Sequence, residues 1–133
     1  MTGVDMRNRD GERGAVAVEF AYLAPILIML LFGIVQFGLA MWRVSVVESA
    51  AREGARIAAL GASEAEVTSR VQAAATGFEA SELTVSSSGC SSIGEDVTVT
   101  VAAAGDRLDL AILFWGTQDQ TYGAVATFRC ERT

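Results

Sequence analysis

The arrangement with the most chemical potential in this chain is Gly14-Ala15-Val16-Ala17-Val18-Glu19-Phe20, where a glycine behind an arginine opens an apolar run that carries one carboxylate. From Ala15 to Trp42 the only charged side chain is Glu19, and the stretch exceeds the roughly 20 residues an α-helix needs to cross hydrocarbon. A charged group at the centre of such a helix costs about 2.5–3.5 kcal/mol, less near the interface, so a functional role is the first explanation to examine. The other reactive side chains are Cys90 and Cys130. An even thiol count in a chain that enters a membrane suits an oxidising compartment and one disulfide; two unrelated buried thiols are the alternative. Histidine is absent, which removes most metal-ligand sets and the His-dependent nucleophiles. Asp106, Asp109 and Asp119 are scattered carboxylates that read as a solvated loop. No catalytic set, metal site or cofactor is expected, and hence no enzyme.

These residues ride on a short series of elements. Residues 1–14 are polar and arginine-dotted, cannot bury a core, and read as a leader or cytoplasmic tail. Residues 15–42 form the apolar helix, with Pro25 near its start and Gly33 and Gly38 further on, all of which membrane helices tolerate. Trp42 followed by Arg43 suits the headgroup layer and marks the outer interface. Helical spacing then continues over residues 43–61. Val44, Val47, Ala51, Gly54 and Ala58 recur three and four apart, while Glu48, Arg52 and Arg56 share another face. Glu48 ahead of Arg52 is the favourable order for an i,i+4 pair, and Gly61 is a suitable C-cap. Ala51, Gly54, Ala55 and Ala58, with Pro25 upstream, are the candidate helix-packing positions, because small residues four apart let helices approach closely. Alanine-rich composition alone is the competing explanation.

Residues 62–133 supply one small α+β domain. Ser63 and Glu66 have capping-box spacing, which predicts a helix over 64–76 with Val67 and Val71 inward. Leu83 and Val85 alternate, as do Val97, Val99 and Val101, and Tyr122 to Arg129 reads as a last strand with Tyr122, Ala124, Ala126, Phe128 and Cys130 on one side. Leu108 to Trp115 is apolar and fits a strand, a short helix or a contact patch equally. Of 133 residues, roughly 90 remain outside the apolar helix, enough for one domain. A net charge of −6, no lysine and scattered arginines exclude a phosphate-binding stripe, so no nucleic-acid partner is expected.

The segment GAVAVEFAYLAP and the apolar residues after it resemble the N-terminal signature of TadE-like proteins, minor pilin-like (pseudopilin) components of tight-adherence (Flp-type) pilus systems. The resemblance covers chiefly residues 11–61 and includes Gly14, Glu19, Phe20, Pro25 and Arg52-Glu53-Gly54-Ala55-Arg56. Ala126-Thr127-Phe128-Arg129-Cys130-Glu131 is similar to the family's closing strand, whereas Ala104 to Gln120 is less typical. The resemblance implies that a prepilin peptidase, a membrane aspartyl protease, cuts after Gly14 and leaves Ala15 as the new N-terminus. Physical chemistry then gives Glu19 a task. The new ammonium at Ala15 lies about one helical turn from Glu19, and a neighbouring subunit's ammonium would reach that carboxylate at an interface shifted along the helix. Opposite charges in a low dielectric offset each other's burial cost. Two competing explanations remain: Glu19 snorkels to the inner headgroups, or the run is a secretory signal cut after Ala40, although it is longer than a normal h-region.

The expected architecture is a protruding N-terminal helix, membrane-embedded in its first half, carrying one short helix and a three- or four-stranded antiparallel sheet. The expected role is structural: a minor pilin of a tight-adherence pilus. It would be anchored once in the cytoplasmic membrane with its N-terminus inside, and its partners would be the prepilin peptidase, other pilin-like subunits and membrane lipid. Arginines flank the span on both sides, so the orientation comes from the resemblance and not from charge. An uncleaved, membrane-anchored extracytoplasmic binding module is the alternative.

Overall fold

The computed structural model describes residues 6–105 and 120–131, with side chains from Gly14 onward. The strand, helix or patch expected over Leu108 to Trp115, and the carboxylates Asp106, Asp109 and Asp119, lie outside the described residues. The fold is α+β, as the sequence pattern predicts: a long helix α1 (Met6–Ala59), a second helix α2 (Glu64–Ala74), a 3-10 turn (Ala80–Glu82) and strands β1 (Leu83–Ser87), β2 (Asp96–Gly105) and β3 (Gln120–Arg129). Compact packing divides the chain into two units, Met1–Gly38 and Leu39–Thr133.

The first unit is the N-terminal part of α1. The helix begins at Met6, earlier than the sequence pattern suggests, and passes through Gly14 without a break. Phe20, Tyr22, Leu23, Ile26, Leu27 and Phe37 are exposed, and the most apolar window of the helix has no buried residue, so this is not the core helix of a globular fold. It is long and apolar enough to cross a membrane. Pro25 lies inside the helix, where it removes one backbone donor.

The second unit folds around the remainder of α1. Its sheet has the order β1-β2-β3 with both pairs antiparallel; Val85 faces Val101 across one ladder and Val101 faces Ala124 across the other. Alternation puts Val97, Val99, Val101 and Ala103 of β2 and Ala124 and Ala126 of β3 into the core, against Val47, Ala50, Ala51, Ala55, Ala58 and Ala59 of α1 and Val67, Val71 and Ala75 of α2. The core is thus built of valine and alanine, closed by Cys130. Such short side chains hold helix and sheet close together and leave little room to relax around any added atom.

Local chemistry sets the helix ends. Gly61, at φ +85°, terminates α1: its N–H donates to the Ala58 carbonyl and the Ala62 N–H to the Ile57 carbonyl, the paired bonds of a Schellman turn. The Ser63 hydroxyl caps the Glu66 N–H while the Glu66 carboxylate accepts from the Ser63 N–H at 2.8 Å, closing the capping box that the sequence predicts. These two Ser63 donors, the backbone first and then the hydroxyl, hold the Glu66 carboxyl below its usual range. Helix α2 stops at Ala74, short of the expected Thr76, because the chain reverses through Gly77 at φ +90°. Phe128 has the inward parity of β3 yet stays 41% exposed, since β3 flanks the sheet.

Candidate functional site

Gly14, Ala15 and Glu19 lie on one stretch of α1, and all three are exposed. A β-carbon added at Gly14 would meet nothing within 4 Å. The Gly14–Ala15 bond is part of continuous helix, so a protease that binds extended chain must first open a turn there. Glycine lowers that cost, being about 1 kcal/mol less favourable than alanine in a helix interior. Ala15 and Glu19 stand at i,i+4 on the same face. The described salt bridges all belong to the second unit: Glu48 to Arg52, Glu53 to Arg56 and Arg70, and Asp96 to Arg129. Glu19 is in none of them. A carboxylate in that position depends on water, headgroups or another molecule for its counter-charge.

The candidate packing positions separate into two kinds. Pro25 is exposed on the first unit. Ala51, Ala55 and Ala58 are buried in the chain's own core, and a β-carbon at Gly54 would run into Val71 Cγ2 at 2.5 Å and reach Val99 Cγ1 at 3.4 Å. The close approach these small residues permit is therefore used within the chain, against α2 and β2. On the flank of the same helix Glu48 and Arg52 are exposed and paired, 3.4 Å apart. Cys90 and Cys130 form a disulfide with Cα atoms 5.9 Å apart, tying the loop after β1 to the end of β3. No group of metal-ligating side chains occurs among the described residues.

The exposed apolar stretch from Ala15 to Trp42 carries one carboxylate, Glu19, and the later part of the same helix supplies core residues of the second unit. Residues 14–56 match the family model of TadE-like protein. This segment is similar to TadE-like proteins. It starts at Gly14, includes Glu19 and Pro25, and ends at Arg56, within the part of α1 that enters the core of the second unit. The match and the long apolar helix fit a membrane protein associated with a tight-adherence pilus. No curated protein and no solved structure matches the chain.

Some contacts near the end of the apolar run are not legible from sequence. Trp42 packs on Gly77, where a β-carbon would come within 2.7 Å of the indole. Arg43 lies over the Tyr122 ring, and Tyr122 meets Phe78 edge-on. Glu53 links α1 to α2 through Arg70 at 3.3 Å. All of these join residues far apart in sequence, and no local pattern announces them.

Proposed function

We propose that this chain is a minor pilin-like subunit of a tight-adherence (Flp-type) pilus, cut after Gly14 by a prepilin peptidase and built into, or priming, a surface filament through its N-terminal helix. The observation that carries the reading is the TadE-like match beginning at Gly14, on a helix whose apolar side chains are exposed and whose only charged side chain from Ala15 to Trp42 is Glu19. Cleavage supplies a cation where none existed, at the α-amino group of Ala15. When subunits gather with their helices offset along the axis, the ammonium of one meets the Glu19 carboxylate of another, and each neutralises a charge that is costly to keep in lipid. The chain catalyses nothing in this scheme; it is the peptidase's substrate and then a building block.

The experiment is Glu19→Gln, with three readouts: processing, co-purification with the other pilin-like subunits, and a count of surface filaments. An amide is cheaper to bury than a carboxylate, so insertion and cleavage should persist while association and filament number fall. Normal association and normal filaments at normal protein level would reject the pairing role.

A further inference from the structure

The second unit has two distinguishable ends. At one, Tyr122 of β3 stands beside Arg43 of α1, with the guanidinium carbon 6.0 Å from the ring centroid. At the other, the Glu131 N–H donates to the Ala59 carbonyl at 2.9 Å. Strand β3 therefore runs along α1 from the level of Arg43 to the level of Ala59, about 24 Å of helix at 1.5 Å per residue. The disulfide and Ile93 belong to the Ala59 end, since the Cys130 carbonyl accepts from Gly94.

The Arg43 end is chemically unlike the rest of the unit. The core is valine and alanine, yet here three aromatic rings and a guanidinium gather from three separate parts of the chain. The Phe78 and Tyr122 rings meet edge-on with centroids 6.5 Å apart. Trp42, about half exposed, lies against the Gly77 backbone. The Tyr122 hydroxyl donates to the Gln120 side chain at 3.4 Å. An indole and a phenol beside an arginine match the water–hydrocarbon boundary, where such rings sit at headgroup level and a guanidinium meets lipid phosphate. Trp42 and Arg43 close the apolar run, so whatever touches them shares their depth.

We infer that this end of the second unit, formed by Phe78, Tyr122 and the turn through Thr76 and Gly77 around Trp42 and Arg43, is seated in the lipid headgroup layer of the membrane that α1 enters. The contact adds a second attachment besides the helix. It limits tilting of the unit about its anchor and sets the height at which the Ala59 end stands above the surface. The inference rests on reading α1 as membrane-spanning.

The test uses the full chain in phosphatidylcholine–phosphatidylglycerol vesicles containing headgroup-spin-labelled lipid, read by quenching of single tryptophans. Trp115→Phe leaves Trp42 as the reference. In a Trp42→Phe, Trp115→Phe background, Phe78→Trp or Thr76→Trp reports the proposed contact and Ile93→Trp the far end. Thr76 is exposed and tolerates the exchange should Phe78→Trp disturb the fold. Quenching at 78 or 76 to the same extent as at Trp42, with none at 93, is the expected result. If Trp42 is quenched while 76 and 78 behave like 93, the unit stands clear of the lipid and the inference falls, with the span intact. If Trp42 escapes quenching, the span reading fails and the inference falls with it.

Discussion

Gly54 gives the sharpest test of how the two helices and the sheet are packed. Gly54→Ala has two opposed effects. Alanine is favoured over glycine in a helix by about 1 kcal/mol, but its β-carbon would stand 2.5 Å from Val71 Cγ2 and 3.6 Å from Val67 Cγ1, both buried on α2. Valine in a helix has essentially one χ1 rotamer, so the methyl cannot swing away. The collision must be met by backbone movement, and overpacking of this kind costs about 1–3 kcal/mol. Gly54→Ala alone should therefore be neutral to destabilising by about 2 kcal/mol. Val71→Ala removes the offending methyl and by itself leaves a cavity. Against that background Gly54→Ala should reverse sign and stabilise by up to about 1 kcal/mol. The cycle predicts a favourable coupling of about 1–3 kcal/mol, and each kcal/mol moves the melting point of a domain this size by about 4–8 °C. Thermal unfolding of the four detergent-solubilised full-length proteins measures it. Additivity within about 0.5 kcal/mol would refute the packing, because contacting residues do not behave so.

Three further outcomes follow from the same geometry. Replacing Cys90 and Cys130 by serine opens a span of 40 residues and should cost about 4 kcal/mol by the chain-entropy model, so a loss under about 1 kcal/mol on denaturant titration would contradict that model here. The β3 register should nevertheless survive in amide exchange, because the Cys130 N–H to Glu95 and Glu131 N–H to Ala59 bonds remain. Glu66, held below the ordinary carboxylate range by Ser63, contributes stability above its unfolded pKa that is lost as pH falls through its folded value; amide exchange in the first turn of α2 should speed up in that acid window, and Glu66→Gln should flatten the dependence. Gly14→Leu should leave the precursor uncut in the membrane, as seen by its mass, since a pocket fitted to glycine has little space for a larger side chain; trimming at the same bond would dispose of that idea.

Elements whose cause is local were legible in the sequence. The Ser63–Glu66 box and the stop at Gly61 each depend on residues within a turn of one another, and the alternation of Val97, Val99 and Val101 reports a sheet with one covered face. The start of α1 at Met6 was not legible, because its first residues are polar and carry no periodic apolar signal. The spacing of Ala51, Gly54, Ala55 and Ala58 left a close-packing seam and mere alanine-rich composition both open; only the tertiary structure sets α2 and β2 against these residues. Trp42 and Arg43 suggested an interface, whereas the arrival of Phe78 and Tyr122 beside them required a left-handed Gly77 and the pairing of two distant strands. Gly14 and Glu19 stood out by type and spacing alone. The partner that would give them a function is another molecule, so neither sequence nor fold of a single chain contains it.

In the proposed function the chain is a precursor that becomes competent for assembly when the Gly14–Ala15 bond is cut. N-terminal sequencing, with intact mass, of the protein taken from native membranes tests this most directly. The expected product begins at Ala15 and lacks the mass of residues 1–14. A chain that retains residues 1–14, or one that begins at Met41 after a cut behind Ala40, would contradict it.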